Sequence, residues 1–420
     1  MRQFEEDNAN LRKLGMAQAF YLQLTIGYFS AVGRKIEMAE SFSMLGVTIL
    51  RRGGKLRRAY YSPIGAGISD SGEPLNQQWL RWVEQESMKR LVYFALTLDA
   101  QVSMSRNLNS LFSPAEIGTP LPAFLDLWSA ETASNWKEAL LNKGQVSTDL
   151  EPSLAEVLQN MSLLTTYQHG VDLQYGGLIV LGGLWSLIRE FRQMSALLEK
   201  SRCWNDFVLS SRHAELCSVL QQFRMESADW EMLSPEVQIL QEVNSMHLYV
   251  SFEELSNYAG RGSEEEARKA TSYVEQWFQS SDSRSAIWHG GQVLRGAKKM
   301  VPSSLSDTYA IALYHAAVVL WVYGVMRRTR GDSLGATLPQ LLLDGEESHE
   351  LSRFVSRNRG APGLTGRGGE FIAVVDPASV ADLVKDVVQE NWKHDPFPLT
   401  TEEVFRLMQG FSEAIRRNVL

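Results

Sequence analysis

Residues 79–99 contain the feature that most constrains the fold, which is a regular recurrence of apolar side chains at helical spacing. The recurring residues are Leu80, Val83, Ser87, Leu91, Phe94 and Leu98. Steps of three and four residues place side chains on one side of an α-helix, so this stretch predicts a long amphipathic helix that buries the stripe. The same spacing predicts that Arg81, Gln85 and Lys89 face solvent.

Glu86 lies four residues before Arg90 in that predicted helix. This order is the favourable one for an ion pair within a helix, and it stabilises an exposed helix by roughly 0.2–0.5 kcal/mol. Nothing in the stretch has the residue pattern of a catalytic loop. The sequence therefore predicts a core helix with an internal ion pair and no chemistry of its own.

Most of the remaining chain also has helical patterns, which predicts an all-α fold: a multi-helix bundle or array with little or no strand. Residues 142–152 are polar, and we predict a division there into two loosely defined halves, 1–145 and 146–420. Residues 331–369 are rich in Gly, Arg, Ser and Asp, which predicts long loops around a short turn at 341–343. Residues 371–375 fit either a short strand or an extended lead into a helix.

Composition narrows the functional classes. The net charge of −8 argues against a generic binder of polyanions, because affinity for a phosphate backbone requires clustered Lys and Arg. Two cysteines in 420 residues and a start without a signal-peptide pattern favour a reducing compartment. Residues 308–326 carry no charge and are long enough to cross a bilayer, but their tyrosines, histidine and alanines favour a buried core helix. We therefore expect no membrane partner.

Three short patterns admit a catalytic or ligand-binding interpretation. Residues 331–335 satisfy the Gly-x-Ser-x-Gly pattern of serine hydrolases, but the strand that should precede it is not indicated. His213 and Cys217 are one helical turn apart and could share a metal, although a buried structural cysteine is the favoured interpretation. Residues 363–369 lack the Lys-Ser/Thr of a phosphate-binding loop, so a mobile surface loop is favoured.

Two stretches resemble the fungal-specific transcription factor domain, most closely that of regulators with two-Cys two-His zinc fingers. The first carries Trp82, Glu86, Arg90, Asp99, Leu121, Pro122, Trp128 and Trp136. The second carries Trp288, His289, Gly291, His315 and Trp321. The resemblance implies a helical regulatory and interaction region in which these residues hold the fold.

Relatives in that family carry a DNA-binding zinc module, whereas this chain has only Cys203 and Cys217. A zinc site needs four Cys or His ligands, so we expect no cofactor in this chain, and zinc only in a finger outside it. The finger is lost, or the gene model is truncated, or the chain acts by joining another regulator.

The resemblance implies a nuclear regulator of RNA polymerase II transcription that acts through protein partners, through self-association or through a DNA-binding region encoded upstream. The expected partners are other transcription regulators, with DNA contacted only indirectly. A basic segment fits nuclear import, which the resemblance favours, although a solvated helix end is the favoured interpretation from the residues alone: Arg51, Arg52, Lys55, Arg57 and Arg58. The alternative function is an all-α enzyme or small-molecule-binding protein that shares the architecture.

Overall fold

The computed structural model describes residues 13–142, 150–198, 206–331 and 339–417. Those residues form seventeen α-helices and one three-stranded sheet, which confirms the prediction of a predominantly all-α fold. The chain divides into two compact units, which are described separately. Unit one comprises residues 1–190 and 221–233, and unit two comprises residues 191–220 and 234–420. The predicted division of the regulatory region after residue 145 stays a prediction.

Unit one is built on a helical hairpin, a long helix and several short helices. Its helices are α1 (Leu14–Tyr28), α2 (Gly33–Arg52), α3 (Gly72–Arg106), α4 (Leu125–Trp128), α5 (Ala133–Asn142), α6 (Leu154–Gln159) and α7 (Leu163–Thr166). Two further helices contribute residues to both units, α8 (Leu173–Leu198) and α9 (Asp206–Ala228). Helix α1 packs on α2 and on α3.

Helix α3 is the long helix predicted from the apolar stripe. It ends where Asn107 adopts a left-handed conformation, with φ of 58°, a backbone state that asparagine tolerates better than most residues. Two positions of the predicted pattern are wrong. Leu80 is exposed, because the buried side of this part of α3 is formed by Leu75 and Trp82, and Leu80 lies on the other side. Lys89 is buried, because carboxylates surround its ammonium group.

The chain after α3 runs in an extended conformation between short turns. A 3₁₀ turn at Pro114–Glu116 begins with a capping box, in which Ser113 and Glu116 exchange hydrogen bonds. Isolated bridges then pair Pro120 with Ser153 and Ala123 with Val171. These bridges hold residues 117–124 beside α3, where their backbone groups meet its buried charges.

Unit two surrounds the apolar helix α14. The helices that lie wholly in unit two, including α14, are α10 (Pro235–Leu248), α11 (Phe252–Tyr258), α12 (Glu264–Gln279), α13 (Ser281–Lys298), α14 (Asp307–Thr329), α15 (His349–Arg357), α16 (Pro377–Asn391) and α17 (Leu399–Arg416). Helix α14 contacts α10, α11, α13, α16 and α17. It is the one helix of the described chain that is long and apolar enough to span a membrane, and 83% of its most apolar window is buried within the protein. This burial agrees with the core-helix interpretation.

The predicted long loops over 331–369 are wrong in part. Residues 332–338 lie outside the described chain, but the rest contains β1 (Gln340–Leu342), α15 and β2 (Ala361–Thr365), and β3 (Phe371–Ala373) follows. Strand β1 pairs with β2 in parallel, and β2 pairs with β3 in antiparallel. Residues 363–365 therefore form the end of β2, and residues 367–369 form an exposed turn that leads to β3. Strands of three to five residues leave little periodic signal.

Candidate functional site

Glu86, one of the predicted signature residues of unit one, has a fully buried side chain on α3. Its Oε1 atom accepts hydrogen bonds from Arg90 Nε at 3.0 Å and from the Ala123 amide at 2.9 Å. Its Oε2 atom lies 2.7 Å from Lys89 Nζ. The ion pair predicted between Glu86 and Arg90 is therefore present, and it extends to a second cation and to the neighbouring extended segment.

Lys89 links three parts of unit one. Its ammonium contacts Glu151 at 3.1 Å and the Leu121 carbonyl at 3.3 Å, in addition to Glu86. Burial opposes the charge, but Glu151 and Glu86 together outweigh it and raise the pKa of Lys89 above its usual value. The lysine is therefore a charged cross-link at neutral pH, and the sequence pattern missed it. The available signal was its position three residues after Glu86.

Arg90 is held by both charge and aromatic contacts. Its guanidinium donates to the Ala123 carbonyl at 2.9 Å and lies 3.5 Å from Asp172. The same group stands over the Trp128 ring, 4.7 Å from the ring centre, which is a cation–π geometry. Predicted signature residues Arg90 and Trp128 thus meet each other directly.

Trp82 and Trp136 form an apolar layer in the same unit. Their ring centres are 5.8 Å apart, and Trp136 is completely buried. They belong to a cluster with Ala123, Phe124 and Leu127. Leu121 is also fully buried, and the Leu121–Pro122 step positions the backbone carbonyl that Lys89 uses.

A pocket of about 410 Å³ opens beside this network within unit one. Trp82, Phe124, Leu127 and Leu140 form apolar walls, and Glu86, Lys89 and Glu151 form a charged end. Residues 61–67 lie along one side of it. Its volume is within the usual range of small-molecule sites, and its lining combines apolar walls with a charged end.

Asp99 occupies a separate position on α3. Its Oδ2 atom accepts hydrogen bonds from the backbone amides of Leu111 at 2.7 Å and Phe112 at 3.1 Å. Burial raises the pKa of Asp99 to about 6, against the opposing effects of those amides and of Arg51. The side chain therefore anchors the turn after α3, and its charge is unfavourable to the folded state.

Replacing Asp99 by Asn is expected to flatten the pH dependence of stability. Because the folded-state pKa is raised, the stabilising contribution of Asp99 is complete below about pH 4 and is lost as the pH rises through about 6. The variant should match the wild type near pH 4 and exceed it near pH 8 by up to about 3 kcal/mol, since each pK unit corresponds to about 1.4 kcal/mol. Denaturant titrations across this range measure the difference. Asp126→Asn, at an exposed site, is the control, and an unchanged slope in Asp99→Asn would refute the assignment.

The predicted residues of unit two fall in several different contacts. His289 Nδ1 lies 2.7 Å from Glu242, and the His289 ring stacks on Tyr249. His315 is buried, 3.1 Å from His247 between ring nitrogens, and it stacks on Phe252. Burial, followed by the charges of His247 and Arg261, keeps the pKa of His315 well below its usual value. His315 is therefore neutral at physiological pH and takes part in packing.

Gly291 and the two tryptophans of this group lie in packed interiors. A Cβ atom at Gly291 would lie 2.5 Å from the backbone of Leu343, so the helix and the chain after β1 approach closely there. Trp321 stacks on Phe411 at 4.7 Å, and Trp288 is buried. None of these contacts brings the unit-two residues to a common pocket.

Three of the five cations in the basic segment 51–58 make contacts within the fold. Arg51 makes a two-pronged ion pair with Glu116, and Arg58 pairs with Glu156 at 2.9 Å. Lys55 stands over the Tyr60 ring at 3.6 Å. Arg52 and Arg57 are exposed, and the role of the segment in nuclear import stays a prediction.

The catalytic and metal interpretations gain little support in the described chain. Cys217 Sγ lies 3.8 Å from the His213 ring and 3.5 Å from the Tyr249 hydroxyl, and burial raises the pKa of the thiol. Among the described residues, no three His, Cys, Asp or Glu side chains are grouped to hold a metal ion. Most of the Gly-x-Ser-x-Gly pattern falls in 332–338, outside the described residues.

The protein is predominantly helical, and signature residues of unit one pack against one another and form ion pairs. Comparison with known proteins is consistent with that class: the fungal specific transcription factor domain matches residues 5–249. The chain belongs to this family. The match covers more than half of the chain and includes every signature residue of unit one.

Curated relatives extend the similarity along the chain. Transcription factor 1 of Elsinoe fawcettii is 24% identical over 386 residues, which cover 86% of this chain and 40% of that protein. A transcription factor of Zymoseptoria tritici is 23% identical over 73% of this chain, and zinc finger protein klf1 of Schizosaccharomyces pombe is 23% identical over 61%. The chain spans between a third and two fifths of the length of these relatives. No solved structure matches the chain significantly.

Proposed function

We propose that this chain is the regulatory and protein-binding region of a fungal transcription regulator that acts in the nucleus. The observation that carries the proposal is the family match over residues 5–249, and the relatives named as transcription factors support it. The whole relatives are longer, so their other activities are not transferred to this chain. RNA polymerase II transcription is the process on which the chain would act.

The DNA contact is proposed to be indirect. The 420 residues have a net charge of −8 and two cysteines, which suits neither a phosphate-binding surface nor a zinc finger within this stretch. Promoter targeting would come from another regulator or from a module encoded upstream. We propose no cofactor for this region, and zinc would belong to such a module.

A non-catalytic role is supported by how the buried charges are used. Glu86, Lys89 and Arg90 are each engaged by an opposite charge and by a backbone group. A general acid or base needs a free position facing substrate. The charged end of the pocket thus supports a structural role, while the apolar walls support the binding of a small effector.

Tethering tests the regulatory function directly. The 420-residue chain is fused to a heterologous DNA-binding domain in fungal cells, and transcript from a reporter that carries its operator is measured. We expect a several-fold change in transcript relative to the DNA-binding domain alone. The untethered chain, expressed at the same level, is the control. Equal transcript from the tethered chain and the bare domain would contradict the proposal.

A further inference from the structure

We propose that a pocket in unit two binds a small zwitterion, which is a molecule with one ammonium and one carboxylate on a short apolar body. The pocket has a volume of about 590 Å³ and is lined by residues from the end of α13, the turn after β2 and α16. This volume is within the roughly 300–1,000 Å³ of small-molecule sites. The proposal goes beyond the regulatory role proposed above and does not depend on it.

One wall of this pocket is apolar and firmly held. Met300 and Leu383 line it and are only 6% and 2% exposed. Asn391 fixes the chain after α13, because its side-chain amide donates a hydrogen bond to the Val301 carbonyl at 2.9 Å. The Oδ1 atom of Asn391 accepts a hydrogen bond from the Leu305 amide at 3.0 Å. The pocket is therefore formed by contacts of the fold itself and needs no ligand to assemble it.

Most of the charged side chains that line the pocket are engaged by partners. Lys298 lies 2.7 Å from Asp344, and Arg367 forms an ion pair with Glu390. Arg295 donates a hydrogen bond to a backbone carbonyl at 3.0 Å and lies 3.6 Å from an exposed carboxylate. These five side chains hold the surrounding elements together, so they offer a ligand little unbalanced charge.

Lys299 and Asp386 differ from the other charged residues of the lining. Among the described residues, neither side chain has an ion-pair or hydrogen-bond partner, and the two do not pair with each other. Lys299 directly follows α13, whereas Asp386 lies within α16 and is partly buried. The pocket therefore carries one unpaired positive and one unpaired negative charge, on two different elements.

This pair of charges selects the class of ligand. A ligand carboxylate at Lys299 and a ligand ammonium at Asp386 would each form a charge-assisted hydrogen bond. An anion without an ammonium would leave Asp386 unpaired, and a cation without a carboxylate would leave Lys299 unpaired. The hydrocarbon part of the ligand would pack on Met300 and Leu383. A small zwitterion with an apolar body thus satisfies the charges and the apolar wall together.

Equilibrium dialysis of the purified 420-residue chain against L-leucine tests the proposal. Leucine carries both charges on a short apolar body. Isopentylamine is the same molecule without the carboxylate, and isocaproate is the same molecule without the ammonium. We expect leucine to bind about tenfold or more tightly than either of them, since one hydrogen bond between charged groups has roughly a tenfold effect on affinity.

Two substitutions separate the roles of the two charges. Lys299→Gln should weaken leucine binding about tenfold and leave isopentylamine binding unchanged. Asp386→Asn should weaken leucine binding by a similar factor and leave isocaproate binding unchanged. Because neither side chain has a partner in the described fold, both variants should keep the melting temperature of the wild type. Lys269→Gln and Glu264→Gln, at exposed sites on α12, are the controls and should bind leucine as the wild type does.

Four outcomes would overturn the proposal. Leucine that does not bind at its highest soluble concentration would remove the site. Isocaproate that binds as tightly as leucine would make the pocket an anion site, and isopentylamine that does so would make it a cation site. Leucine binding that is unchanged in both folded variants would assign it to another part of the chain. If Asp386→Asn does not fold, the comparison of leucine with isocaproate on the wild type tests the ammonium contact. A chain that binds leucine but leaves the tethered reporter unchanged keeps this site and loses only the regulatory function.

Discussion

Replacing Glu86 by alanine is expected to lower the free energy of unfolding of unit one by about 3–5 kcal/mol, because it leaves two buried cations without their shared partner. Lys89 would keep its ion pair with Glu151, and Arg90 would keep its ion pair with Asp172. The Ala123 amide would lose its hydrogen-bond acceptor. Denaturant titration measures the loss, and hydrogen exchange in peptides from residues 82–106 locates it.

Glu84→Ala provides a matched control for this substitution. Glu84 lies on the same helix two residues earlier, and its side chain is exposed. Its removal should change stability by less than about 0.5 kcal/mol. Equal stabilities of the Glu86 and Glu84 variants would show that the buried charges do not hold unit one together.

Replacing Gly291 by alanine is the second change with a large expected effect. The new Cβ would lie 2.5 Å from the backbone of Leu343, which a side-chain rotation cannot relieve. The shift would also displace Gln292. Its side-chain amide donates hydrogen bonds to the Leu343 carbonyl at 2.7 Å and to the Gly345 carbonyl at 2.8 Å. We expect unit two to lose about 3 kcal/mol, the upper end of the usual cost of overpacking.

Gly410→Ala is the control for the glycine substitution in the same unit. Gly410 lies inside α17, and a Cβ atom there meets no other group within 4 Å. Alanine should stabilise that helix by about 0.5–1 kcal/mol. Hydrogen exchange should show faster exchange in α13 and the β1 strand for Gly291→Ala only. Protection unchanged in both variants would contradict the close approach.

Helical periodicity predicted the long helix and the all-α class because both depend on repeated local spacing. The capping box at Ser263, where Glu266 returns a bond to the Ser263 amide, was also predictable, since all its groups lie within four residues. Local signals of this kind need no knowledge of the rest of the chain.

The site was predictable only in part because its contacts join distant segments. Spacing alone predicted the pair between Glu86 and Arg90, but it placed Lys89 in solvent. The carboxylate that helps hold Lys89 inside, Glu151, is 62 residues away. The parallel pairing of β1 with β2 across α15 was missed for the same reason, since a three-residue strand is defined by its partner.

We expect the buried charges of unit one to hold the fold while the chain regulates through other proteins. The most direct test of this expectation is the double variant Glu86→Gln with Lys89→Met, in which the amide keeps an acceptor for the Ala123 amide and no unpaired ammonium remains. Replacing a buried ion pair by neutral groups of similar volume often costs little. We expect the double variant to fold, to recover most of the stability lost in Glu86→Gln alone, and to keep the tethered reporter output of the wild type. A double variant that folds with wild-type stability but loses the reporter output would contradict this expectation. The buried charges would then have a regulatory role in addition to their structural one.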